Sequence, residues 1–127
     1  HKEARIFGKI LQAQGFEHVC AVCKIGAIDK SETGIPDEHK CRPGSRESMC
    51  NPIMQAQIMN RAETGLNVIV GLCVGHDSLF IKYSDALVTT LITKDRVLAH
   101  NPAGALYTTH RYYGWLLQPG TVDKDRK

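Results

Sequence analysis

The segment Asn67 to Val74, with the sequence NVIVGLCV, is apolar at nearly every position and does not alternate between apolar and polar residues. A run of this kind is typical of a β-strand that is buried on both faces. Strands of that type occur almost only in parallel sheets that helices cover, so this segment restricts the chain to the α/β class.

The remaining patterns predict further helices and strands around this strand. Asn51-Pro52 and Asn101-Pro102 each predict the start of a helix, because asparagine caps free amides and proline suits the first helical position. Residues 25–49 form a long irregular segment, and such a connection in a compact domain is usually functional or mobile. The predicted helices cover residues 3–14, a segment from 51–52 to 65, a short segment after 75–78 and residues 103–117, and the predicted strands cover 16–23, 67–74, 86–93 and 96–99.

This order of elements predicts one α/β domain over residues 1–120 and a polar C-terminal tail over residues 121–127. The expected architecture is a three-layer α/β/α sandwich with a mostly parallel sheet, Rossmann-like or flavodoxin-like. Such folds usually begin with a strand, whereas this chain begins with a predicted helix. We therefore expect the first strand to be missing, and a second copy of the chain or an N-terminal segment to complete the sheet.

Composition argues against several classes of partner. The net charge of +3 comes from scattered basic residues, which argues against nucleic-acid binding. The mean hydropathy of −0.23 and the lack of an apolar run of about 20 residues argue against a membrane partner. No signal peptide is recognisable at the start, so we expect a cytoplasmic protein.

The five cysteines are the unusual part of the composition. In a reducing cytosol, cysteines are more often metal ligands, catalytic thiols or small buried side chains than disulfide partners. Cys23 ends the first predicted strand and Cys73 ends the second, while Cys41 and Cys50 lie in the long segment between them. Ligands bind beyond the carboxyl ends of parallel strands, so these cysteines are candidate site residues. Cys50 also precedes a helix start, which favours a thiolate.

The motif Cys73-Val74-Gly75-His76 places a thiol and an imidazole at a predicted strand-to-helix turn. One interpretation is a metal site in which Asp77 orients His76 from the second layer of contacts. Another is an enzyme with Cys73 as nucleophile, His76 as base and Asp77 as the orienting group. A third is a structural or partner-binding domain in which the cysteines are inert. The spacing leaves all three open.

The other two cysteines receive simpler predictions. Cys20 lies in the middle of a predicted strand, so we expect it to be buried and unreactive. Cys41 lies in the long segment, so we expect it to be exposed in a mobile loop.

Several stretches resemble a known family. These are NPIMQAQIMN, GLCVGHD and KDRVLAHNP, together with CKIG at Cys23 and MCNP at Cys50. The chain is similar, over nearly its whole length, to domain-of-unknown-function family 1847, whose members are described as predicted metal-binding proteins. The resemblance implies that relatives carry an N-terminal cysteine-rich segment and a first strand, and we expect both to be missing from this chain.

The resemblance also implies a ligand set, because Cys23, Cys50, Cys73 and His76 match the family's pattern. Thiolates prefer soft ions, so zinc or an iron–sulfur cluster is the expected cofactor. The sequence thus predicts a metal-binding α/β domain with its site at the carboxyl edge of the sheet. The cysteine-dependent enzyme and the domain with inert cysteines remain the alternatives.

Overall fold

The computed structural model describes residues 2–95, 97–98 and 100–118. Contacts within the chain divide it into two compact units, His1–Thr93 and Lys94–Lys127. The single domain over residues 1–120 stays a prediction, and the expected tail over residues 121–127 lies outside the described residues.

The first unit combines helices with a small sheet, so the predicted α/β class is confirmed. Strands β1 (Leu66–Cys73) and β2 (Leu87–Lys94) pair in a two-stranded parallel sheet, and the helix between them makes the crossover. The three-layer arrangement stays a prediction. The elements in chain order are α1 (Lys2–Ala13), α2 (Pro52–Arg61), β1 (Leu66–Cys73), α3 (His76–Tyr83) and β2 (Leu87–Lys94).

Helix α2 begins where the sequence predicts, at Asn51-Pro52. The Asn51 side chain accepts a hydrogen bond from the amide of Met54 at 3.0 Å, and Pro52 occupies the first turn. Both contacts are local in sequence, which is why the pattern alone located this helix start.

The core of the first unit forms where α2 and α3 pack with β1. Its buried members are Ala56, Met59, Ile69, Leu72 and Phe80. Ile69 and Leu72 of β1 both belong to this core, although residues three apart on a regular strand point to opposite faces. Gly71 lies between them with a φ of +73°, and it shifts the alternation of the strand by one residue.

The strand predicted over residues 16–23 is wrong, because this segment contains no strand. Its backbone carbonyls bond to the start of α2 instead of to a neighbouring strand. The Gln55 side chain donates to the Ala21 carbonyl at 2.9 Å, and the Asn51 amide donates to the Cys23 carbonyl at 2.8 Å. The segment therefore runs beside α2 and brings Cys23 next to residues 50 and 51.

The second unit contains a shorter helix than the 103–117 that the sequence predicts. Helix α4 covers Pro102–Tyr107, and a short 3-10 helix covers Gly114–Leu117. The hydroxyl of Thr108 donates to the carbonyl of Gly104 at 2.8 Å, so a side chain bonds a carbonyl near the end of the helix.

The fourth strand, predicted over residues 96–99, is not observed where the chain is described. Val97 and Leu98 lie in a turn, and Arg96 and Ala99 lie outside the described residues. The carboxylate of Asp95 accepts hydrogen bonds from the amides of Val97 at 3.0 Å and of Leu98 at 3.1 Å. This local bonding favours a turn over an extended strand.

Within the described residues, none of the helices has the length and apolar character needed to cross a membrane.

Candidate metal centre

Cys73 and His76 lie on either side of the turn that joins β1 to α3. Cys73 is the last residue of β1 and is half-buried, and His76 is the first residue of α3. Gly75 between them has a φ of +93°, which residues with a side chain rarely adopt. The turn thus brings a thiol to the carboxyl edge of the sheet, where the sequence places it.

Cys50 and Cys23 reach this region from two other segments. Cys50 immediately precedes the Asn51 cap of α2 and is half-buried. Cys23 is also half-buried, packs against the hydrophobic core and is tied by its carbonyl to the Asn51 amide. The cap of α2 therefore holds the two cysteine segments side by side.

The Cys50 thiol interacts electrostatically with the thiols of Cys23 and Cys73. Burial raises the pKa of the Cys50 thiol above its ordinary value. The charges of Cys23 and Cys73 and a side-chain hydrogen bond with Cys23 raise this pKa further, against a lowering by Lys24. The expected stabilisation of a Cys50 thiolate by the helix start is therefore wrong, because burial and like charges outweigh it.

The His76 imidazole has a buried nitrogen without a partner. Its Nδ1 atom is shielded from solvent and makes no hydrogen bond within the described structure. A buried polar atom of this kind carries a desolvation cost unless something bonds to it. This orphaned nitrogen lies three residues beyond the Cys73 thiol.

Asp77 does not orient His76, contrary to both sequence interpretations that use it. Its Oδ1 atom accepts hydrogen bonds from the Gly75 amide at 2.8 Å and from the Ser78 amide at 2.9 Å. The carboxylate thus closes the turn before α3 and occupies two of the amides that an anion would need there.

The long segment 25–49 is held together by a buried ion pair that the sequence analysis missed. The Lys40 ammonium lies 3.1 Å from the Asp29 carboxylate, and both side chains are largely buried. Hydrogen bonds from the side chain and the amide of Ser31 hold the pKa of the Asp29 carboxyl well below its usual range, and Lys40 lowers this pKa further. Asp29 also accepts from the Glu47 amide at 2.7 Å, so it joins the two ends of the segment.

A second ion pair joins Lys30 to Glu47 in the same segment. The hydrogen bond to Glu47 raises the pKa of the Lys30 ammonium, and the charges of Glu47, Cys41 and Cys50 raise it further. The sequence carried one local signal of order in this segment, the Asp29-x-x-Glu32 pattern, which forms a capping box at the start of a short 3-10 helix.

The remaining cysteines lie at the surface. Cys41 is exposed, as predicted, although its amide is bonded to the Glu47 carboxylate at 2.8 Å. Cys20 is exposed too, so the prediction that it is buried is wrong. The reason is the absence of a strand at residues 16–23, which leaves no sheet to cover this side chain.

Cys23, Cys50, Cys73 and His76, called the thiol cluster below, do not form a closed coordination site in this structure. Across the described part of the chain, no three His, Cys, Asp or Glu side chains are grouped as a metal ion would require. A shallow hollow elsewhere is lined by residues such as Asn60, Glu63 and Asp85. It lies by the amino ends of β1 and β2, at the edge of the sheet opposite Cys73.

The structure defines an α/β protein in which one cysteine ends strand β1 and two others lie in segments that a backbone hydrogen bond holds side by side. Comparison with known families gives a match to the family described as Protein of unknown function (DUF1847), over residues 1–91. The chain therefore belongs to this family, as the resemblance in its sequence predicts.

A curated relative is the uncharacterized protein MJ0455 of Methanocaldococcus jannaschii. It is 53% identical over 111 residues, which cover 87% of this chain and 54% of the relative. The chain thus spans about half the length of that relative. No solved structure matches the chain.

Proposed function

We propose that this chain binds zinc or an iron–sulfur cluster through Cys23, Cys50, Cys73 and His76. The observation that carries the proposal is the hydrogen bond of 2.8 Å from the Asn51 amide to the Cys23 carbonyl, which holds Cys23 beside the segment of Cys50. The Cys50 thiol also interacts electrostatically with Cys23 and Cys73. Thiols that ionise this close together repel one another, and a bound cation removes that repulsion.

The donor set supports a soft metal. Three thiolates and one imidazole make a Cys₃His set, which is a common structural zinc site. The buried Nδ1 atom of His76, which has no partner, is a fourth donor that metal binding would satisfy. Four protein ligands leave no open position, so a zinc ion held by all four would stabilise the fold rather than activate a substrate.

The spacing of the donors means that metal binding must draw the segments together. Cys23 lies in a segment without helix or strand, so its backbone can move more easily than that of Cys73 at the end of β1. Where ligands come together only on binding, part of the binding free energy appears as folding free energy. We therefore expect metal binding and thermal stability to change together.

The test is metal analysis of the full chain, purified without chelator under reducing conditions. We expect about one zinc or one cluster per chain, and cobalt in place of zinc should give the intense visible absorption of thiolate ligation. Cys73→Ser should abolish stoichiometric metal and lower the melting temperature, and His76→Ala should do both more mildly.

Cys41→Ser is the matched control, because Cys41 is exposed and lies outside the proposed ligand set. It should keep the metal and the melting temperature of the wild type. If Cys73→Ser and wild type are equally metal-free and melt together, the metal proposal is wrong. If only Cys41→Ser loses the metal, the proposed ligand set is wrong and Cys41 is a ligand.

A reducing, cytoplasmic location is part of this proposal. Ligand thiols must stay reduced, and all five cysteines are free in the structure.

A second candidate function is partner binding along the sheet. The exposed apolar residues of β2 favour it, since Leu87 is 79% exposed and Leu91 is 54% exposed. A parallel sheet is normally covered on both faces, so the same apolar face of a second copy of this chain is the proposed partner. Leu91→Lys should shift the chain from dimer to monomer in sedimentation equilibrium, and a monomeric wild type would contradict the proposal.

A further inference from the structure

We propose that Cys23 and Cys50 form a reversible disulfide, so that the thiol cluster is also a site of thiol–disulfide exchange. A backbone hydrogen bond brings these residues together. The Asn51 amide, next to Cys50, donates to the Cys23 carbonyl at 2.8 Å, so the two cysteine segments run side by side. Both thiols are half-buried, so the pair is shielded while remaining accessible to a small reagent.

The structure favours this pair over Cys20 and Cys23, which lie three residues apart in the sequence. That spacing is common in thiol redox pairs, yet Cys20 is exposed whereas Cys23 packs against the core. Cys73 comes from the end of β1, whereas the Cys23 carbonyl is bonded directly to the residue after Cys50.

The flexibility of the backbone also favours this pair. A disulfide requires its two sulfurs to approach to about 2.05 Å with a defined dihedral angle. Cys23 lies in an irregular segment and Cys50 lies just before a helix, so neither is fixed in a strand. Cys73 is the last residue of β1 and has less freedom to adjust.

The oxidant is a small disulfide of the glutathione class. The thiolate of one of the two cysteines attacks a sulfur of this disulfide, which breaks the bond and releases one small thiol. The second protein thiolate then attacks the protein sulfur of the mixed disulfide and releases the other small thiol. The protein loses two electrons and two protons, and the small disulfide gains both.

The consequence for the metal rests on the proposed function. A disulfide removes two of the four proposed ligands and leaves Cys73 and His76, which are too few to complete a tetrahedral site. Oxidation of the pair would therefore release the metal. The pairing itself needs no metal, so the two proposals can fail separately.

The first experiment maps disulfides in the full, reduced and metal-free chain. The protein is equilibrated with mixtures of reduced and oxidised glutathione, quenched with acid, alkylated and analysed by peptide mass spectrometry. We expect the Cys23–Cys50 disulfide to exceed every other pairing by roughly tenfold, because neighbouring thiols have a high effective concentration.

Three variants sharpen this result. Cys50→Ser should abolish the disulfide, whereas Cys20→Ser and Cys41→Ser should leave it at the level of the wild type. A predominant Cys20–Cys23 disulfide, random pairing, or no intramolecular disulfide at any ratio would each overturn the proposal. Because wild-type mapping decides the question, the test holds even if a variant fails to fold.

The second experiment repeats the oxidation on zinc-loaded protein with a chromogenic chelator present. We expect zinc release to follow the same oxidant dependence as the Cys23–Cys50 disulfide. If the disulfide forms while zinc stays bound, the link to metal release is wrong. If zinc never binds and the disulfide still forms, the exchange site stands and the metal proposal fails.

Discussion

Replacing Asn51 by alanine should destabilise the part of the chain that holds the thiol cluster. The change removes the side-chain oxygen that accepts from the Met54 amide at 3.0 Å. It keeps the backbone amide that donates to the Cys23 carbonyl at 2.8 Å. The perturbation therefore isolates the helix cap, which immediately follows Cys50.

The size of the effect follows from the loss of one cap. Replacing an asparagine cap by alanine costs about 1 kcal/mol, with a range of roughly 0.5–2 kcal/mol. Over a unit of 93 residues, about 1 kcal/mol lowers the melting temperature by about 5 °C. If the same free energy of about 1 kcal/mol must be supplied when zinc binds, the dissociation constant for zinc rises by about fivefold.

The assay is thermal unfolding of the full chain with and without zinc, together with a competitive zinc titration. Asn51→Ser keeps a capping oxygen, so it should restore most of the stability. Asn101→Ala is the matched control, because Asn101 makes the same contact to the Gly104 amide at 2.9 Å in the second unit. It should leave zinc affinity unchanged.

A melting temperature of Asn51→Ala within about 1 °C of the wild type would refute a stabilising cap, because even the weakest cap predicts a larger shift. Equal losses in the alanine and serine variants would also contradict it, since the side-chain oxygen would then not be the cause.

Three further predictions follow from burial and pKa. The lowered pKa of the Asp29 carboxyl contributes stability that is present above its unfolded pKa of about 3.9 and is lost as the pH falls towards the folded value. The melting temperature of the wild type should therefore fall more steeply below about pH 4 than that of Asp29→Asn, and parallel curves would exclude this role. Phe80→Ala should cost about 3–5 kcal/mol in urea unfolding, because Phe80 is 7% exposed in the core. Leu79→Ala, at a position that is 40% exposed, should cost much less, and equal losses would place the core elsewhere. In metal-free, reduced protein, Cys50 should react with a thiol reagent about tenfold or more slowly than exposed Cys41, and the reverse order in labelling kinetics would contradict the burial of Cys50.

Local signals in the sequence predicted much of the regular structure. The asparagine caps before α2 and α4 act within three residues, so the printed sequence contains both partners of each bond. Strand β1 was evident from its apolar run, because the strand contributes Ile69 and Leu72 to the core and most of its other residues are half-buried. The prediction of a strand over residues 16–23 was wrong because a strand forms only when another strand pairs with it. That pairing depends on distant residues, which a local pattern does not contain.

The candidate site was likewise predicted in part from the sequence, while the rest became evident only in the structure. The resemblance to a family selected Cys23, Cys50, Cys73 and His76, and the sequence located the turn between the last two. The proximity of the first three depended on how distant segments fold. In particular, the Asn51 amide bonds to a carbonyl 28 residues earlier in the chain.

The sequence by itself determined where helices α2 and α4 begin and where strand β1 lies, because caps and apolar runs act over a few residues. Only the tertiary structure decided that Cys50 has a raised pKa, that Cys20 is exposed and that Lys40 is paired with Asp29. Burial and the charge of a neighbour depend on which segments pack together, and that packing joins residues far apart in the chain.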